Sequence, residues 1–195
     1  MEQRPDWAPF VEHTNHQPPR RIHRKAVEAF ERPGRALDLG FGAGNESVDL
    51  LDLGWDVTAV DSTPSAIANL RERAEGRPGR LTLVHRELAD AELPTVDYVF
   101  AGFSLFFTEP DRFDGLWSRI RAALAPGARF AGHLLGERDT WASHPWISWH
   151  TEDRARELLD GLDLERFEVE DADGRAMGGE KHWHVFEFVA RRGDR

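Results

Sequence analysis

The sequence predicts a single α/β domain, in which a seven-stranded, mostly parallel sheet carries helices on both faces and closes with an antiparallel hairpin. Three observations predict it. Short apolar strands alternate with amphipathic helices from residue 20 onward, a glycine-rich turn follows the first strand, and the last two segments alternate apolar and polar residues on either side of a Gly-containing turn. With 195 residues, the chain is long enough to bury a substantial core in one such domain.

The N-terminal segment differs from the rest of the chain, because residues 1–19 contain four prolines and no sustained periodicity. We expect one short turn there, around Trp7 and Phe10. The sequence therefore predicts an arm or lid over residues 1–19 and a single domain over residues 20–195.

The sequence of the first half of the domain predicts three helices that alternate with three strands. Apolar residues such as Ile22 and Ala26 recur at helical spacing over 20–30. Pro64 suits the first turn of a later helix. The predicted order is helix 20–30, strand 36–39, helix 45–53, strand 56–61, helix 64–75 and strand 80–85.

The second half predicts a strand within 96–105 and then a strongly amphipathic helix, which Pro126 and Gly127 are expected to end before a strand over 128–135. Thr151 is the expected N-cap of a helix over 151–162. The apolar face of the first of these helices comprises Phe113, Leu116, Trp117, Ile120 and Leu124. The final antiparallel hairpin is predicted over segments 162–174 and 181–192.

Composition excludes several classes of function. The formal charge of −10 and the scattered basic residues argue against a nucleic-acid or anionic membrane partner. The chain has no cysteine, no apolar run long enough to span a membrane and no signal-peptide pattern, so we expect a cytoplasmic protein. Two histidine pairs, at 13 and 16 and at 182 and 184, have metal-compatible spacing. Without thiolates or clustered carboxylates we expect no metal site.

The turn after the first strand indicates the site. In an open parallel sheet, ligands bind beyond the carboxyl ends of the strands, where the strand order reverses. Gly40, Gly42 and Gly44 form a G-x-G-x-G pattern there, which lets the backbone turn sharply and lets a ligand lie against it. A tight turn without a ligand is the alternative explanation.

Asp61 favours a ligand that contains adenosine. It lies 21 residues after Gly40, at the end of the second strand, where a carboxylate accepts hydrogen bonds from ribose hydroxyls. Capping of the following helix is the alternative role, for which Ser62 and Thr63 compete. Asn45 replaces the third glycine of the dinucleotide fingerprint, and Glu46 adds negative charge where a pyrophosphate would lie. A dinucleotide is therefore disfavoured.

Several quoted segments together carry a family resemblance. "LDLGFGAG", with Asp38 as its acidic residue, and "VTAVDST" after it resemble motif I and the following segment of the class I S-adenosylmethionine-dependent methyltransferases. "LAPGARFAG" resembles the entry to their fifth strand, with Ala128 replacing a glycine, and "HWHVFEFVARR" their last antiparallel strand. The resemblance covers about residues 20–192 and is nearest to small tellurite-resistance and trans-aconitate methyltransferases. It implies a Rossmann-like fold and S-adenosylmethionine as cofactor, and leaves the acceptor open.

The resemblance also implies site residues. The turn would pass along the methionine part of the donor, Asp61 would hold the ribose, and Ser62 and Thr63 would border the adenine. In "VHRELAD", Glu87 and Leu88 would bind the adenine, with Asp90 as the alternative acid. The implied donor-binding residues are Asp38, Gly40, Phe41, Gly42, Gly44, Asp61, Ser62, Thr63, Glu87, Leu88, Gly102 and Phe103.

The sequence defines the binding place of the methyl acceptor less closely than that of the donor. Phe106 and Phe107 follow the fourth strand, and Trp146 and Trp149 lie in a long loop after the fifth, so they are candidates for a substrate pocket or, alternatively, for a hydrophobic plug. The same loop holds further candidates for that pocket in Trp141, His144 and His150. His133, near the end of the fifth strand, is the candidate base; an ordinary core histidine is its alternative.

Methyl transfer to a small molecule is the function that the sequence favours. In-line transfer needs alignment and exclusion of water more than a dedicated base. A non-catalytic donor-binding sensor or partner subunit is a second hypothesis. A nicotinamide-dependent oxidoreductase is a third, which Asn45 disfavours.

Overall fold

The computed structural model describes residues 6–194, so residues 1–5 of the predicted arm lie outside it. The helices within this range are α1 (Ala8–Thr14), α2 (Arg21–Val27), α3 (Asn45–Asp52), α4 (Pro64–Arg73), α5 (Pro110–Ala123) and α6 (Glu152–Leu158). The strands are β1 (Arg35–Leu39), β2 (Asp56–Asp61), β3 (Arg80–His85), β4 (Val96–Ala101), β5 (Leu124–Gly136), β6 (Trp149–His150), β7 (Asp163–Ala176) and β8 (Gly179–Arg191).

The strands form one mixed sheet of order β3-β2-β1-β4-β5-β8-β7, and the two-residue β6 pairs with β5 beside this path. The strands from β3 to β5 are parallel, whereas β8 is antiparallel to both of its neighbours. The predicted fold class is confirmed, with β6 as an addition to the seven predicted strands. Strand order reverses beside β1, which pairs with both β2 and β4.

The core lies on both faces of the sheet because successive strand side chains point in opposite directions. In β1, Ala36 belongs to one buried cluster and Leu37 to another. The first cluster receives side chains from α2, α3 and α4, and the second from α5 and α6. Helices therefore cover both faces, as predicted.

Three predicted boundaries were wrong by more than two residues. Pro126 and Gly127 lie inside β5, which begins at Leu124, because the register of the β4–β5 pair shifts between Val96 and Tyr98 and the irregular ladder tolerates a proline there. The helix predicted over 20–30 ends at Val27. The N-cap at Thr151 is confirmed, since its side chain accepts a hydrogen bond from the Arg154 backbone N–H, but α6 ends at Leu158 instead of 162.

Candidate functional site

The glycine turn joins β1 to α3 with three residues in left-handed backbone conformation. The φ angles are +67° at Gly40, +54° at Gly42 and +78° at Gly44. The turn is tightened by hydrogen bonds from the Gly40 N–H to the Val60 carbonyl and from the Gly44 N–H to the Phe41 carbonyl, both 2.8 Å. Any other residue would be strained at these three positions.

The three glycines differ in what a side chain would meet. A Cβ at Gly40 would lie 2.4 Å from the Cβ of Ser104, and one at Gly44 would lie 2.9 Å from Leu70. At Gly42, the nearest atom would be a ring carbon of Phe10, 3.5 Å away, which is ordinary contact. Packing inside the protein therefore explains Gly40 and Gly44, whereas the space over Gly42 is bounded by the Phe10 ring of α1.

Asp61 lies directly beside that space. Its carboxylate is 8% exposed and accepts hydrogen bonds from the backbone N–H groups of Gly42 (2.9 Å) and Thr63 (2.8 Å). The N-cap of α4 is Thr63, so Asp61 is not the N-cap. Each carboxylate oxygen has a second lone pair, so Asp61 retains capacity for two further hydrogen bonds. The Ser62 carbonyl lies 3.0 Å from Nε2 of His85.

A buried acidic pair lies under the turn. Asp38 is 2% exposed and accepts a 2.6 Å hydrogen bond from the Ser47 hydroxyl. Burial, and after it the nearby negative charge of Glu46, together raise the pKa of Asp38 to about 7. Glu46 is itself bound by Arg20, through the guanidinium (2.9 Å) and the backbone N–H (3.0 Å). The charge of Glu46 is therefore paired, and the sequence argument that it would repel a pyrophosphate loses its basis.

Helix α1 lies across the turn. The Asn45 side chain donates to the Thr14 carbonyl (2.8 Å), and Asn15 bonds Asn69 of α4 (3.1 Å). At the other end of α1, the ring of Trp7 lies 4.4 Å from that of Phe107. The described part of the N-terminal arm is thus fixed at both ends over the glycine turn.

The predicted adenine residues lie after β3. Leu88–Asp90 form a 3-10 turn, and the Asp90 N–H donates to the Glu87 carbonyl at 3.0 Å. Leu88 packs on the core, and Asp90 pairs with Arg112. After β4, a Cβ at Gly102 would lie 2.6 Å from the Phe100 ring, so packing alone requires a glycine there.

A cavity of about 320 Å³ opens where β4 ends, and its lining includes Arg20, Phe103, His133 and Glu187. Phe103 has a φ of +55° and stacks on His133, with ring centroids 4.0 Å apart. His133 lies inside β5 and is 3% exposed, and burial lowers its pKa. No local pattern identifies Arg20 or Glu187 as site residues, and the strand register that brings Glu187 opposite His133 is a tertiary feature.

The aromatic candidates do not line this cavity. Phe106 is fully buried, its ring lies 4.6 Å from that of Phe107, and Phe107 stacks with Trp146 at 6.3 Å. Trp149 lies in β6 and is 45% exposed. The structure therefore brings three of the four together in a packed cluster, to which Trp141 also belongs.

Metal-binding clusters and membrane-spanning helices are both absent from the described range of the chain. No group of three or more His, Asp or Glu side chains among residues 6–194 is placed to hold a metal ion. Within the same range, every helix is too short or too polar to cross a bilayer. The ring nitrogens of His182 bind the carboxylates of Asp171 (2.9 Å) and Asp173 (2.7 Å), so His182 does not form a common site with His184.

Comparison with known sequences places a methyltransferase domain, by family description, over residues 37–130. Hemagglutinin 1 of Eikenella corrodens is 27% identical over 163 residues, which are 79% of this chain and 54% of that protein. The ribosomal RNA small subunit methyltransferase H of Methylorubrum populi is 40% identical over 74 residues, 37% of this chain and 21% of that protein. The chain thus spans about half, or less, of the length of these curated relatives.

Among solved structures, TehB from Haemophilus influenzae superposes with a TM-score of 0.79 at 18% identity, covering 94% of this chain and 65% of that one. The 1,6-didemethyltoxoflavin-N1-methyltransferase of Burkholderia thailandensis gives a TM-score of 0.67 at 24% identity, covering 90% and 78%. Its structure contains 1,6-didemethyltoxoflavin and S-adenosylhomocysteine. At these identities the superpositions show the fold. With the domain match, they confirm the resemblance of the sequence to the methyltransferases.

Proposed function

We propose that this chain, which has the fold of the class I S-adenosylmethionine-dependent methyltransferases and carries a methyltransferase domain, transfers a methyl group from S-adenosylmethionine to a small-molecule acceptor. One observation carries the proposal. The left-handed backbone at Gly42 and the carboxylate of Asp61, which accepts a hydrogen bond from the Gly42 N–H, meet at the sheet edge where strand order reverses. When bound, the donor supplies a methyl group that its positively charged sulfur has already activated.

The residues of the turn fit such a donor. Asp61 would accept hydrogen bonds from the ribose hydroxyls through its remaining lone pairs, while the backbone at Gly42 would run along the methionine part. Ser62, Thr63, Glu87 and Leu88 would surround the adenine. Phe41 and the backbone at Gly102 and Phe103 would complete the methionine end, together with Asp38, Gly40 and Gly44.

The electrostatics of the turn support this assignment. The ammonium and sulfonium groups of the donor are cationic. Glu46 is paired with Arg20, and Arg73 donates to the Ala43 carbonyl, whereas the Asp61 carboxylate accepts only backbone hydrogen bonds among residues 6–194. Its negative charge near a bound cation stabilises that cation. A dinucleotide lacks this match, in addition to the missing glycine at Asn45.

The arm would act as a lid. Phe10 covers Gly42, so a donor that lies against Gly42 would lie under α1 and be shielded from water. We place the division between this lid and the catalytic domain at residue 20, as the sequence predicts. Opening of α1 would then admit the donor, at the cost of the bonds that Asn15 and Asn45 make.

A small acceptor is supported by the volume of the cavity and by the substrate of the Burkholderia neighbour. The formal charge of −10 supports exclusion of nucleic acid, although the matched relatives include a ribosomal RNA methyltransferase that aligns over 37% of the chain. The absence of cysteine supports a cytoplasmic location.

Isothermal titration calorimetry with S-adenosylmethionine and S-adenosylhomocysteine tests the proposal. We expect both to bind; failure of both at millimolar concentration would overturn it. Fluorescence titration with NADH tests the oxidoreductase hypothesis, and the absence of NADH binding would count against it. Donor binding without methylation of any small molecule in a radiolabel assay would favour a non-catalytic sensor.

A further inference from the structure

The cavity beside β4 adjoins the proposed donor site. Arg20 forms part of its wall and also binds Glu46 in the first turn of α3. Phe103, another wall residue, is one of the two whose backbone would complete the methionine end of the donor. The opposite wall is formed by β7 and β8, through Glu168, Val185 and Glu187 among others. An acceptor in this cavity would therefore lie next to the methionine end of the donor.

One wall contains a histidine with an unused nitrogen. His133 and Glu187 are directly opposite each other on β5 and β8, and Nε2 of His133 lies 3.5 Å from Oε2 of Glu187. Nδ1 of His133 is buried and has no hydrogen-bond partner among residues 6–194. A buried polar atom without a partner is rare in folded proteins, and a functional role is one recognised reason for it.

The tautomer of His133 follows from its neighbour. Glu187 also accepts a 3.0 Å hydrogen bond from Arg166 and lies 3.5 Å from Arg21, and its pKa is lowered, first by the hydrogen bond with His133. An ionised carboxylate only accepts hydrogen bonds, so the imidazole proton is fixed on Nε2, facing Glu187. Nδ1 then carries the lone pair. The distance of 3.5 Å is long, as is common at catalytic pairs before a substrate binds.

We propose that His133 is the general base for methyl transfer and that Glu187 positions it, so that the acceptor is a small molecule carrying a weakly acidic O–H or N–H group. This assignment rests on the proposed function. The acceptor's lone pair forms a bond to the methyl carbon while the carbon–sulfur bond breaks with its electrons going to sulfur. The acceptor's proton passes to Nδ1 and later to water.

The charges around His133 suit this role. Burial, followed by the positive charge of Arg20, lowers the pKa of His133, so the imidazole is neutral and able to accept a proton near neutral pH. Glu187 and Glu46 act in the opposite direction. The lining holds two arginines and three glutamates, a formal charge of −1 that stabilises the imidazolium once formed.

The same lining selects the acceptor. Its arginines already pair with Glu46, Glu168 and Glu187, so no free cation is offered to an anionic substrate. The Phe103 ring forms an apolar wall against which a planar molecule can stack. At about 320 Å³, the cavity is at the lower end of ligand sites. A neutral, planar, one- or two-ring compound matches these features.

A nitrophenol series tests the base without the donor, because the ionised forms absorb visible light. Added at a pH where the free probe is mostly protonated, wild-type protein should convert at least one member to phenolate, with or without S-adenosylhomocysteine. His133→Gln keeps an N–H donor toward Glu187 but takes no proton, so its signal should fall to that of the probe alone. His182→Gln, which removes a histidine outside the cavity, is the matched control and should leave the signal unchanged.

Nitrogen-15 NMR tests the positioning role. Wild-type His133, assigned by comparison with His133→Gln, should show unprotonated Nδ1 and protonated Nε2, and Glu187→Gln should lose this single tautomer. The proposal is overturned if no probe ionises, if His133→Gln ionises the probes as wild type does, or if Nδ1 carries the proton. Donor binding by calorimetry is independent of these outcomes, so failure here is distinguishable from failure of the proposed function.

Discussion

Asp61 has two separable roles in the structure, one in stability and one in the proposed ribose contact. The test is a pair of substitutions, Asp61→Ala and Asp61→Asn. The alanine removes both acceptor oxygens, whereas the asparagine keeps one oxygen and replaces the other by a donor. Asp160→Asn is the control, because that aspartate is exposed after α6 and its side chain makes no hydrogen bond or ion pair among residues 6–194.

The magnitude follows from the two backbone hydrogen bonds, at 2.9 Å to Gly42 and 2.8 Å to Thr63. A hydrogen bond to a charged group contributes about 1.5–3 kcal/mol, and water replaces part of it at a partly buried site. We expect Asp61→Ala to lower the free energy of unfolding by about 2–4 kcal/mol and Asp61→Asn by about half as much. Loss of the ribose bonds should weaken donor binding at least tenfold, about 1.4 kcal/mol.

Chemical denaturation measures the first effect and calorimetry the second, at a temperature where all variants are folded. The alanine variant is decisive for binding because it removes both acceptor oxygens, whereas the asparagine keeps one that a ribose hydroxyl can still bond. Unchanged donor affinity in Asp61→Ala would refute the ribose contact, and unchanged stability in the same variant would refute the structural role. Equal changes in Asp160→Asn would show that charge alone is responsible.

Three further predictions concern stability, measured as the midpoint of chemical denaturation. Gly40→Ala should destabilise by about 2–4 kcal/mol, because its φ is +67° and its methyl would lie 2.4 Å from Ser104; an unchanged midpoint would contradict this. Burial raises the pKa of Asp38 to about 7, so its contribution to stability is complete below about pH 4 and lost as the pH rises to about 7. Asp38→Asn should therefore be more stable than wild type at about pH 8 and similar at about pH 4, and parallel pH profiles would refute the shift. Lys181→Met should cost about 3 kcal/mol, because it leaves the fully buried Asp139 carboxylate without its ammonium partner, and Asp139→Asn in the same chain should restore part of the loss.

The sequence predicted the fold well because local signals and tertiary structure agree along most of the chain. Alternating strands and helices gave the parallel sheet, and the bounds of β2 and β3 were predicted to the residue. The prediction failed at Pro126 and Gly127. These residues usually interrupt a strand, but the irregular β4–β5 pairing accommodates both of them inside β5.

The site was only partly predictable, because local signals identify only those site residues that lie close together in the chain. Gly42 and Asp61 belong to one strand–turn–helix–strand unit, so spacing along the chain is enough to bring them together. Glu46 looked like an unpaired charge because its partner, Arg20, lies 26 residues earlier. Glu187 faces His133 only through the register of β5 and β8, 54 residues apart in the chain, which no local pattern specifies.

Arg20 links the two halves of the proposed site. Its backbone N–H and guanidinium both bind Glu46, so the start of α2 is fixed to the first turn of α3. Because the same side chain walls the cavity and lies 5.5 Å from the Phe103 ring, the position of the glycine turn also sets the shape of the acceptor cavity. A donor that displaces α3 or the turn would move this wall as well. Donor and acceptor binding should therefore be coupled through Arg20, and the cavity should reach its binding geometry with the donor in place.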